Sequence, residues 1–213
     1  MSEPLTIWGR ADSSNVQAVM WGVGELGLEY SRHDVGHRFG GTDTPEFIAR
    51  NPNRTVPVLG DGSLIIWEST AILRYLADAY GQPPFWPETP AGKAPINQWG
   101  DWGENCAGVF NRTVFWPLIR LPDQGDRADR VAKAMETLTP SLASADDQLS
   151  RHDHIAGDAF TLADILFGHI LHRYFTVEAP RPELPALAAY FARLQDRAAY
   201  RAHAMVSYAA LQA

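Results

Sequence analysis

Cysteine is nearly absent from this sequence, whose 213 residues contain only one, Cys106. A single cysteine cannot form an intramolecular disulfide and is typical of proteins from a reducing compartment, so we expect a cytoplasmic protein. The chain also lacks a run of about 20 apolar residues, the length that spans a bilayer. Its first ten residues do not have the pattern of a signal peptide. We therefore expect a soluble protein without a membrane partner.

Positive charge is scarce as well. Lys and Arg number 18 against 25 Asp and Glu, which gives a formal net charge of −7. Binding of nucleic acid needs a basic surface that displaces counterions from phosphates, so this balance argues against a nucleic-acid partner. Hydrophobic residues make up 46% of the chain and charged residues 20%, which is the composition of a folded globular protein.

The first eighty residues alternate between strand and helix signals. Short apolar stretches that predict strands lie at 5–8, 29–35, 56–59 and 64–66. Segments with helical spacing or helix-start signals lie at 16–26, 45–51 and 68–80. The predicted order is β-α-β-α-β-β-α, which indicates an α/β domain over residues 1–81.

Beyond residue 81 the strand signals stop. Residues 82–95 contain five prolines and are expected to hold no regular element, so a linker is predicted at 82–92. Residues 93–213 show only helical periodicity and predict an all-helical domain. Its helices are expected at about 93–119, 126–151, 161–175, 185–194 and 197–208.

Two motifs are rejected because of their context. Gly22-Val-Gly-Glu-Leu-Gly27 matches the dinucleotide-binding pattern G-x-G-x-x-G, which functions only after a strand and at the start of a helix. Here it lies at the end of a predicted helix, so we interpret its glycines as packing positions and Gly27 as the helix stop. His169 and His172 do not supply the three or four converging ligands that zinc requires, and no metal site is expected.

Three short segments together predict a ligand site. Pro57 heads a strand, where a cis proline exposes the preceding backbone as a pairing edge. Glu68 and Ser69 stand at a strand-to-helix junction, where amides, a hydroxyl and the helix dipole can hold a carboxylate. The run Ser13-Ser14-Asn15 opens the first helix, where a hydroxyl and helix amides favour a bound thiolate. A serine in this place is also a common N-cap.

With these segments on one chain, the sequence resembles the cytosolic glutathione S-transferases, and the likeness extends over the whole chain. It is similar to serine-type bacterial members related to the theta and zeta classes. The segments that carry the likeness are SSNVQAVMW, TPEFIARNPNRTVPVL, IIWESTAILRYLA and FTLADI. The resemblance implies a thioredoxin-like N-terminal domain, an all-helical C-terminal domain and a homodimer in which Asp101 reaches a ligand across the interface. It also implies glutathione as cosubstrate and no permanently bound cofactor.

The resemblance further implies a transferase of the detoxifying kind, which activates the glutathione thiol as a thiolate for attack on a small electrophilic or apolar substrate. Ser13 falls at the position of the catalytic serine, and Asn15 is the alternative donor to the sulfur. The electrophile is expected between this loop and the first long C-terminal helix, with Trp102 and Phe110 as candidate wall residues. Alternatives are a glutathione-dependent isomerase, peroxidase or disulfide reductase on the same fold, or a non-enzymatic binding or scaffold protein.

The same resemblance assigns the parts of glutathione to residues of the N-terminal domain. Val56 is expected to pair with the cysteinyl part beside a cis Pro57. Glu68 and Ser69 are expected to receive the γ-glutamyl group. Arg54 is the candidate for the glycyl carboxylate, because the residue just before the valine is often lysine in relatives and is threonine here.

The segment FTLADI contains a capping box. Thr161 is expected to cap a helix, and Asp164 follows it three residues later, where its carboxylate can return to the cap. We assign these two residues to folding rather than to chemistry.

Overall fold

Four short strands form the centre of the N-terminal half. The structure is a computed structural model that describes residues 4–123 and 125–212. The predicted N-terminal domain therefore lacks a description of residues 1–3, and the predicted helical domain lacks one of residues 124 and 213. The strands are β1 (Leu5–Trp8), β2 (Tyr30–His33), β3 (Val58–Asp61) and β4 (Leu64–Trp67). They form one mixed sheet in the order β2-β1-β3-β4, in which β1 is parallel to β2 and antiparallel to β3.

Three helices accompany this sheet: α1 (Ser14–Glu25), α2 (Pro45–Arg50) and α3 (Ser69–Tyr80). The observed order confirms the predicted β-α-β-α-β-β-α pattern and the thioredoxin-like fold. Val19 of α1 and Ile72 of α3 are fully buried with Ile7 of β1 in one hydrophobic core. Each such side chain contributes about 1.5–3 kcal/mol relative to an exposed one, so the apolar faces of the two helices secure them to the sheet.

The rest of the described chain is helical, as predicted. Its helices are α4 (Pro90–Phe110), α5 (Trp116–Ile119), α6 (Arg127–Leu149), α7 (Leu162–Gly168), α8 (Leu171–Thr176), α9 (Pro185–Gln195) and α10 (Ala198–His203). A π-helical turn at Asn111–Phe115 joins α4 to α5. The short α7 packs along α4 and also contacts α1 and α3, so it connects the two halves. Within residues 4–123 and 125–212, no helix has the length and apolarity needed to cross a membrane.

The start of α4 differs from the sequence prediction. The helix begins at Pro90 and includes Pro95, so the expectation that the prolines of 82–95 exclude a regular element is wrong for its last six residues. A proline in the first helical position has no N–H to lose, and Thr89 caps this end by accepting from the Gly92 N–H at 3.1 Å. Pro95 costs one internal hydrogen bond in a helix of 21 residues.

Another difference lies further along the chain, where the predicted helix over 161–175 is divided into α7 and α8 after Gly168. The division of the chain at 81 and 92 stays a prediction.

Glycines in α1 allow two other helices to approach closely. A Cβ at Gly22 would lie 2.5 Å from Leu73 Cδ2 on α3, and a Cβ at Gly24 would lie 2.9 Å from Ala199 Cβ on α10. Gly27 follows the helix with φ of +64°, a conformation that favours glycine. The pattern G-x-G-x-x-G therefore serves helix packing and helix termination, as the sequence predicted.

A buried carboxylate organises the start of α7. Asp164 is fully buried and accepts hydrogen bonds from the Thr161 N–H at 2.7 Å, from the Ile155 N–H at 3.1 Å and from the Tyr190 hydroxyl at 2.8 Å. Burial and then the nearby Asp164 charge raise the pKa of Tyr190 well above its usual value, so the phenol keeps the proton that it donates. The predicted capping box is confirmed, and it also ties α7 to α9.

Replacing this carboxylate should destabilise the fold strongly. In Asp164→Ala three buried donors lose their acceptor, and since an unsatisfied donor costs about 1–3 kcal/mol, the free energy of unfolding should fall by about 4 kcal/mol. Thr161→Ala removes a helix cap and should cost only about 1 kcal/mol. Urea unfolding followed by tryptophan fluorescence measures both values. Equal losses for the two variants would contradict the role assigned to Asp164.

Candidate functional site

The loop between β1 and α1 carries the predicted catalytic residues. Ser13 is the N-cap of α1, with φ −82° and ψ 127°, and is 9% exposed. Its hydroxyl makes no capping hydrogen bond to the helix. A helix start without a side-chain cap leaves N–H groups of its first turn available, and they carry a partial positive charge. A serine hydroxyl and helix amides at one point can together stabilise an anion such as a thiolate.

The first two side chains of α1 are linked to the helical half through Asn111. Asn111 Nδ2 donates to Ser14 Oγ at 3.0 Å, and Ser14 Oγ donates to Asn15 Oδ1 at 3.4 Å. Asn111 begins the π-helical turn after α4, and such turns are frequent at functional sites. Ser14 is therefore engaged by protein groups on both sides, whereas Asn15 is engaged in this network only through its carbonyl oxygen, so Ser13 and Asn15 both stay candidate donors to a ligand.

A buried arginine from α8 holds the same loop. Arg173 is 3% exposed, and its Nη2 donates to the Asp12 carbonyl at 2.7 Å while its Nη1 donates to Asn111 Oδ1 at 3.3 Å. Its guanidinium also lies 4.4 Å from the centre of the Phe115 ring. Burial lowers the pKa of Arg173 to about 9, and the side chain therefore remains charged at neutral pH. No local signal in the sequence could reveal this contact, because 161 positions separate the two partners.

Asp12 gives the loop a buried negative charge. Its carboxylate is paired with Arg10 Nε at 2.9 Å and with the Arg38 guanidinium, while its side chain is 4% exposed. Burial lowers the pKa of Arg10, and repulsion by Arg120 and Arg38 adds to this effect while the Asp12 charge opposes it. Sequence analysis did not identify Asp12, Arg38 or Arg120 as site residues.

The backbone before β3 presents a free pairing edge. Asn51 is fully buried and fixes this segment, since its Nδ2 donates to the Thr55 carbonyl at 2.9 Å and its Oδ1 accepts from the Asn53 N–H at 3.0 Å. The Val56–Pro57 peptide bond is cis, as the resemblance implied. In the described ranges, no backbone group pairs with the N–H or carbonyl of Val56. An extended peptide can add to such an edge as an extra strand.

The junction of β4 and α3 has an unusual backbone. Glu68, the N-cap of α3, has φ of +71°, and Arg54 has φ of +57°. Positive φ is uncommon outside glycine and often marks functional positions. Ser69 follows as the first residue of α3 and is 3% exposed. Both residues were expected site residues, and their roles stay a prediction.

The structure brings some predicted residues together and separates others. A Cβ at Gly9 would lie 3.3 Å from Val56 Cβ, so the Ser13 loop and the free edge adjoin. Phe110 is 4% exposed and packs against Tyr174, which assigns it to the helical core rather than to an accessible wall. Trp102 is half-buried and packs against Phe167 with its ring centre 5.5 Å away.

Two family models match the sequence. They are the glutathione S-transferase N-terminal domain at residues 3–78 and the glutathione S-transferase C-terminal domain at residues 112–198. Glutathione S-transferase GstB of Escherichia coli (strain K12) is 34% identical over 207 residues, which cover 95% of this chain and 98% of that protein. Glutathione S-transferase 3 of Zea mays is 31% identical over 183 residues, which cover 84% and 82%.

A solved structure also resembles this one closely. It is the theta class glutathione S-transferase of the citrus canker pathogen Xanthomonas axonopodis pv. citri, determined with glutathione bound. The TM-score is 0.89 and the sequence identity 42%, and the match covers 97% of this chain and 99% of that protein.

Removing the buried arginine should weaken the fold at the Ser13 loop. Arg173→Met leaves the Asp12 carbonyl and Asn111 without their donor, and loss of one partner from a buried charged contact costs about 3–5 kcal/mol of unfolding free energy. The matched control is Arg201→Met, because among the described residues this exposed guanidinium donates to the Gln195 carbonyl alone. Its loss should change stability by less than about 0.5 kcal/mol. Guanidinium chloride unfolding compares the two, and similar losses would show that Arg173 has no special role.

Proposed function

The chain belongs to the glutathione S-transferase family, and from this we propose that it binds glutathione on its N-terminal domain and transfers the glutathionyl group, through its sulfur, to a small electrophile. The observation that supports this most directly is the uncapped Ser13 hydroxyl at the start of α1, beside the free backbone edge of Val56. In the reaction the sulfur forms a bond to the electrophilic atom, the leaving group departs with its electron pair, and the thiol proton passes to solvent. The names of the relatives favour a transferase over an isomerase, a peroxidase, a disulfide reductase or a scaffold protein.

Ionisation of the thiol is the step that the protein must assist. A thiol with a pKa near 8.5 is only about 3% ionised at pH 7. Lowering this pKa by about two units, which is worth roughly 2.7 kcal/mol, brings the thiolate to about three quarters. We propose that a hydrogen bond donated by Ser13 Oγ, together with the amides and dipole of α1, supplies this shift.

The residues proposed to bind the tripeptide precede β3 or follow β4. In this proposal, Val56 pairs through its backbone with the cysteinyl residue, and Pro57 holds that segment in place. Ser69 and the first amides of α3 hold the γ-glutamyl carboxylate, and Glu68 accepts from its amine. The exposed Arg54 side chain is assigned to the glycyl carboxylate.

The electrophile is proposed to lie between the Ser13 loop and the chain that follows α4. Asn111 contacts this loop, and five residues later Trp116 on α5 is 38% exposed, so it offers aromatic surface on that side. Trp102 and Phe110 lie deeper, and we propose that they support this wall rather than form it.

We further propose a homodimer and a cytoplasmic location. The edge strand β4 carries exposed apolar side chains, with Leu64 43%, Ile65 38% and Trp67 37% exposed, and a partner subunit could cover them. Asp101 is paired with Arg74, yet its side chain is 64% exposed, so we propose that it reaches the γ-glutamyl amine of glutathione in the other subunit. The cytoplasmic location rests on the single cysteine, which is a buried free thiol.

Ser13→Ala tests the function. The pKa of the bound glutathione thiol should rise by about one or two units, each worth 1.36 kcal/mol, because the thiolate loses its hydrogen bond. The loss of turnover should shrink as pH rises, since the thiolate then forms without help. Ultraviolet thiolate absorbance, titrated with the variant saturated in glutathione, measures the shift.

Two neighbouring substitutions are the controls for this titration. Ser14→Ala removes the contact with Asn111 and should cost about 1 kcal/mol of stability with little effect on the thiol. Asn15→Ala should shift the thiol pKa less than Ser13→Ala does. A titration that moves with Asn15→Ala and not with Ser13→Ala would transfer the catalytic role to Asn15.

The dimer can be tested by sedimentation. At micromolar concentration the protein should sediment at about twice its mass of 23.6 kDa, because each subunit covers the apolar face of β4 in the other. Ile65→Lys should shift the equilibrium to the monomer. The control Leu121→Lys changes an equally exposed residue outside β4 and should leave the dimer intact. A 23.6 kDa species for the unmodified protein would refute both the dimer and the role of Asp101.

A further inference from the structure

Three arginines from separate segments contact Asp12 in the loop between β1 and α1, and a fourth lies beside Trp116, the proposed wall of the electrophile site. This arginine cluster consists of Arg10, Arg38 and Arg173 at Asp12 and of Arg120 at Trp116. Arg10 Nε lies 2.9 Å from the Asp12 carboxylate, Arg38 is paired with the same carboxylate, and Arg173 donates to the Asp12 carbonyl at 2.7 Å. One carboxylate is thus shared by two guanidinium groups, and a third guanidinium holds the backbone carbonyl of the same residue.

Arg120 joins the cluster from the residue after α5. Its guanidinium lies 5.3 Å from the centre of the Trp116 ring, and in the described part of the chain no carboxylate forms an ion pair with it. Its charge nevertheless reaches the other members. After burial, which is the largest cause, repulsion by Arg120 contributes to the lowered pKa of both Arg10 and Arg173.

The cluster carries more positive charge than its own carboxylate can balance. The three guanidinium groups at Asp12 leave two positive charges after its carboxylate is counted, and Arg120 beside Trp116 adds a third, in a chain whose formal net charge is −7. Like charges held together repel one another, and arginine cannot lose its charge near neutral pH. A cleft lined by one sign of charge raises the local concentration of ligands of the opposite sign. The excess therefore favours an anionic ligand.

The cluster lies toward the sulfur end of the proposed glutathione site. A Cβ built at Gly36 would lie 3.4 Å from Arg10 Nη1 and 3.6 Å from Val56 Cγ1, so Arg10 borders the edge assigned to the cysteinyl residue. Arg10 and Arg173 are largely buried, whereas the Arg38 side chain is 43% exposed and Arg120 is only partly buried. The two accessible guanidinium groups are the ones that a second substrate can touch.

We propose that the second substrate is an anionic electrophile, a small molecule with a carboxylate or sulfonate group a few bonds from the reacting carbon. This inference rests on the proposed glutathione transfer and adds the substrate class. A thiolate repels another anion, and Arg38 and Arg120 offset that repulsion while they hold the acidic group. With an aryl chloride, the sulfur–carbon bond forms, the carbon–chlorine bond breaks, chloride leaves with the electron pair, and the thiol proton passes to solvent.

Two aryl chlorides of the same shape provide the test. They are 4-chloro-3,5-dinitrobenzoate, which is anionic, and 4-chloro-3,5-dinitrobenzamide, which is neutral. For each, kcat/KM is divided by the uncatalysed second-order rate constant with glutathione at the same pH, which removes the difference in intrinsic reactivity. The protein should favour the benzoate by about tenfold, and the preference should shrink at high salt as the charges are screened.

Substitution of Arg120 should remove this preference selectively. Arg120→Gln should lower the corrected kcat/KM for the benzoate by about tenfold and that for the benzamide by less than about twofold, while Arg120→Lys should retain most of the benzoate activity because it keeps the charge. The control is Arg112→Gln, which removes the same charge from an exposed arginine whose guanidinium lies beside Gly108. It should leave both rates nearly unchanged.

Each other outcome has a definite meaning. Equal losses for both compounds in Arg120→Gln would show that Arg120 serves the thiolate or a carboxylate of glutathione, and the inference would be wrong. Turnover of the benzamide in preference to the benzoate would also overturn it while leaving glutathione transfer intact. If neither compound reacts faster than in buffer and the bound thiol shows no lowered pKa, the proposed function itself fails.

Discussion

The hydrogen bond from Arg173 to the carbonyl of Asp12 is the constraint on which the site depends. It joins a helix near the end of the chain to the loop that follows the first strand. The same guanidinium donates to Asn111, and Asn111 in turn donates to Ser14, so the helical half fixes the loop at two points. Because a buried guanidinium must find acceptors, this arrangement permits few other positions of the loop.

Because of this constraint, the three consecutive residues Ser13, Ser14 and Asn15 have different surroundings. Ser14 is occupied by the contact with Asn111, and Asn15 accepts from Ser14, whereas the Ser13 hydroxyl is left at the uncapped helix start. A serine that caps its own helix would stabilise the fold at the expense of a donor for a ligand. The α/β half thus supplies the backbone edge, which Asn51 fixes, and the hydroxyl, whose loop the helical half keeps in position.

The cis bond before Pro57 was implied by the family resemblance. Local patterns in the sequence were sufficient for the strand and helix order and for the capping box of Asp164. Each depends on residues within a few positions of one another, which is the range over which propensity and turn chemistry act. The arginine cluster had no such signal, because Arg38 meets Asp12 across 26 positions and Arg173 across 161. Tertiary packing alone decides those contacts. It also buries Phe110, which was expected on the wall of the electrophile site, in the core.

The contact between Arg173 and Asp12 also determines when the site comes into being on the ribosome. Domains generally fold from the N-terminus as the chain is made, at about 5–20 residues per second. The loop has left the ribosome long before residue 173 is added, since 161 positions lie between the partners. For roughly ten to thirty seconds of synthesis the thioredoxin-like half therefore exists without the arginine that fixes its Ser13 loop. The chain completes its candidate site only when its own translation is nearly finished.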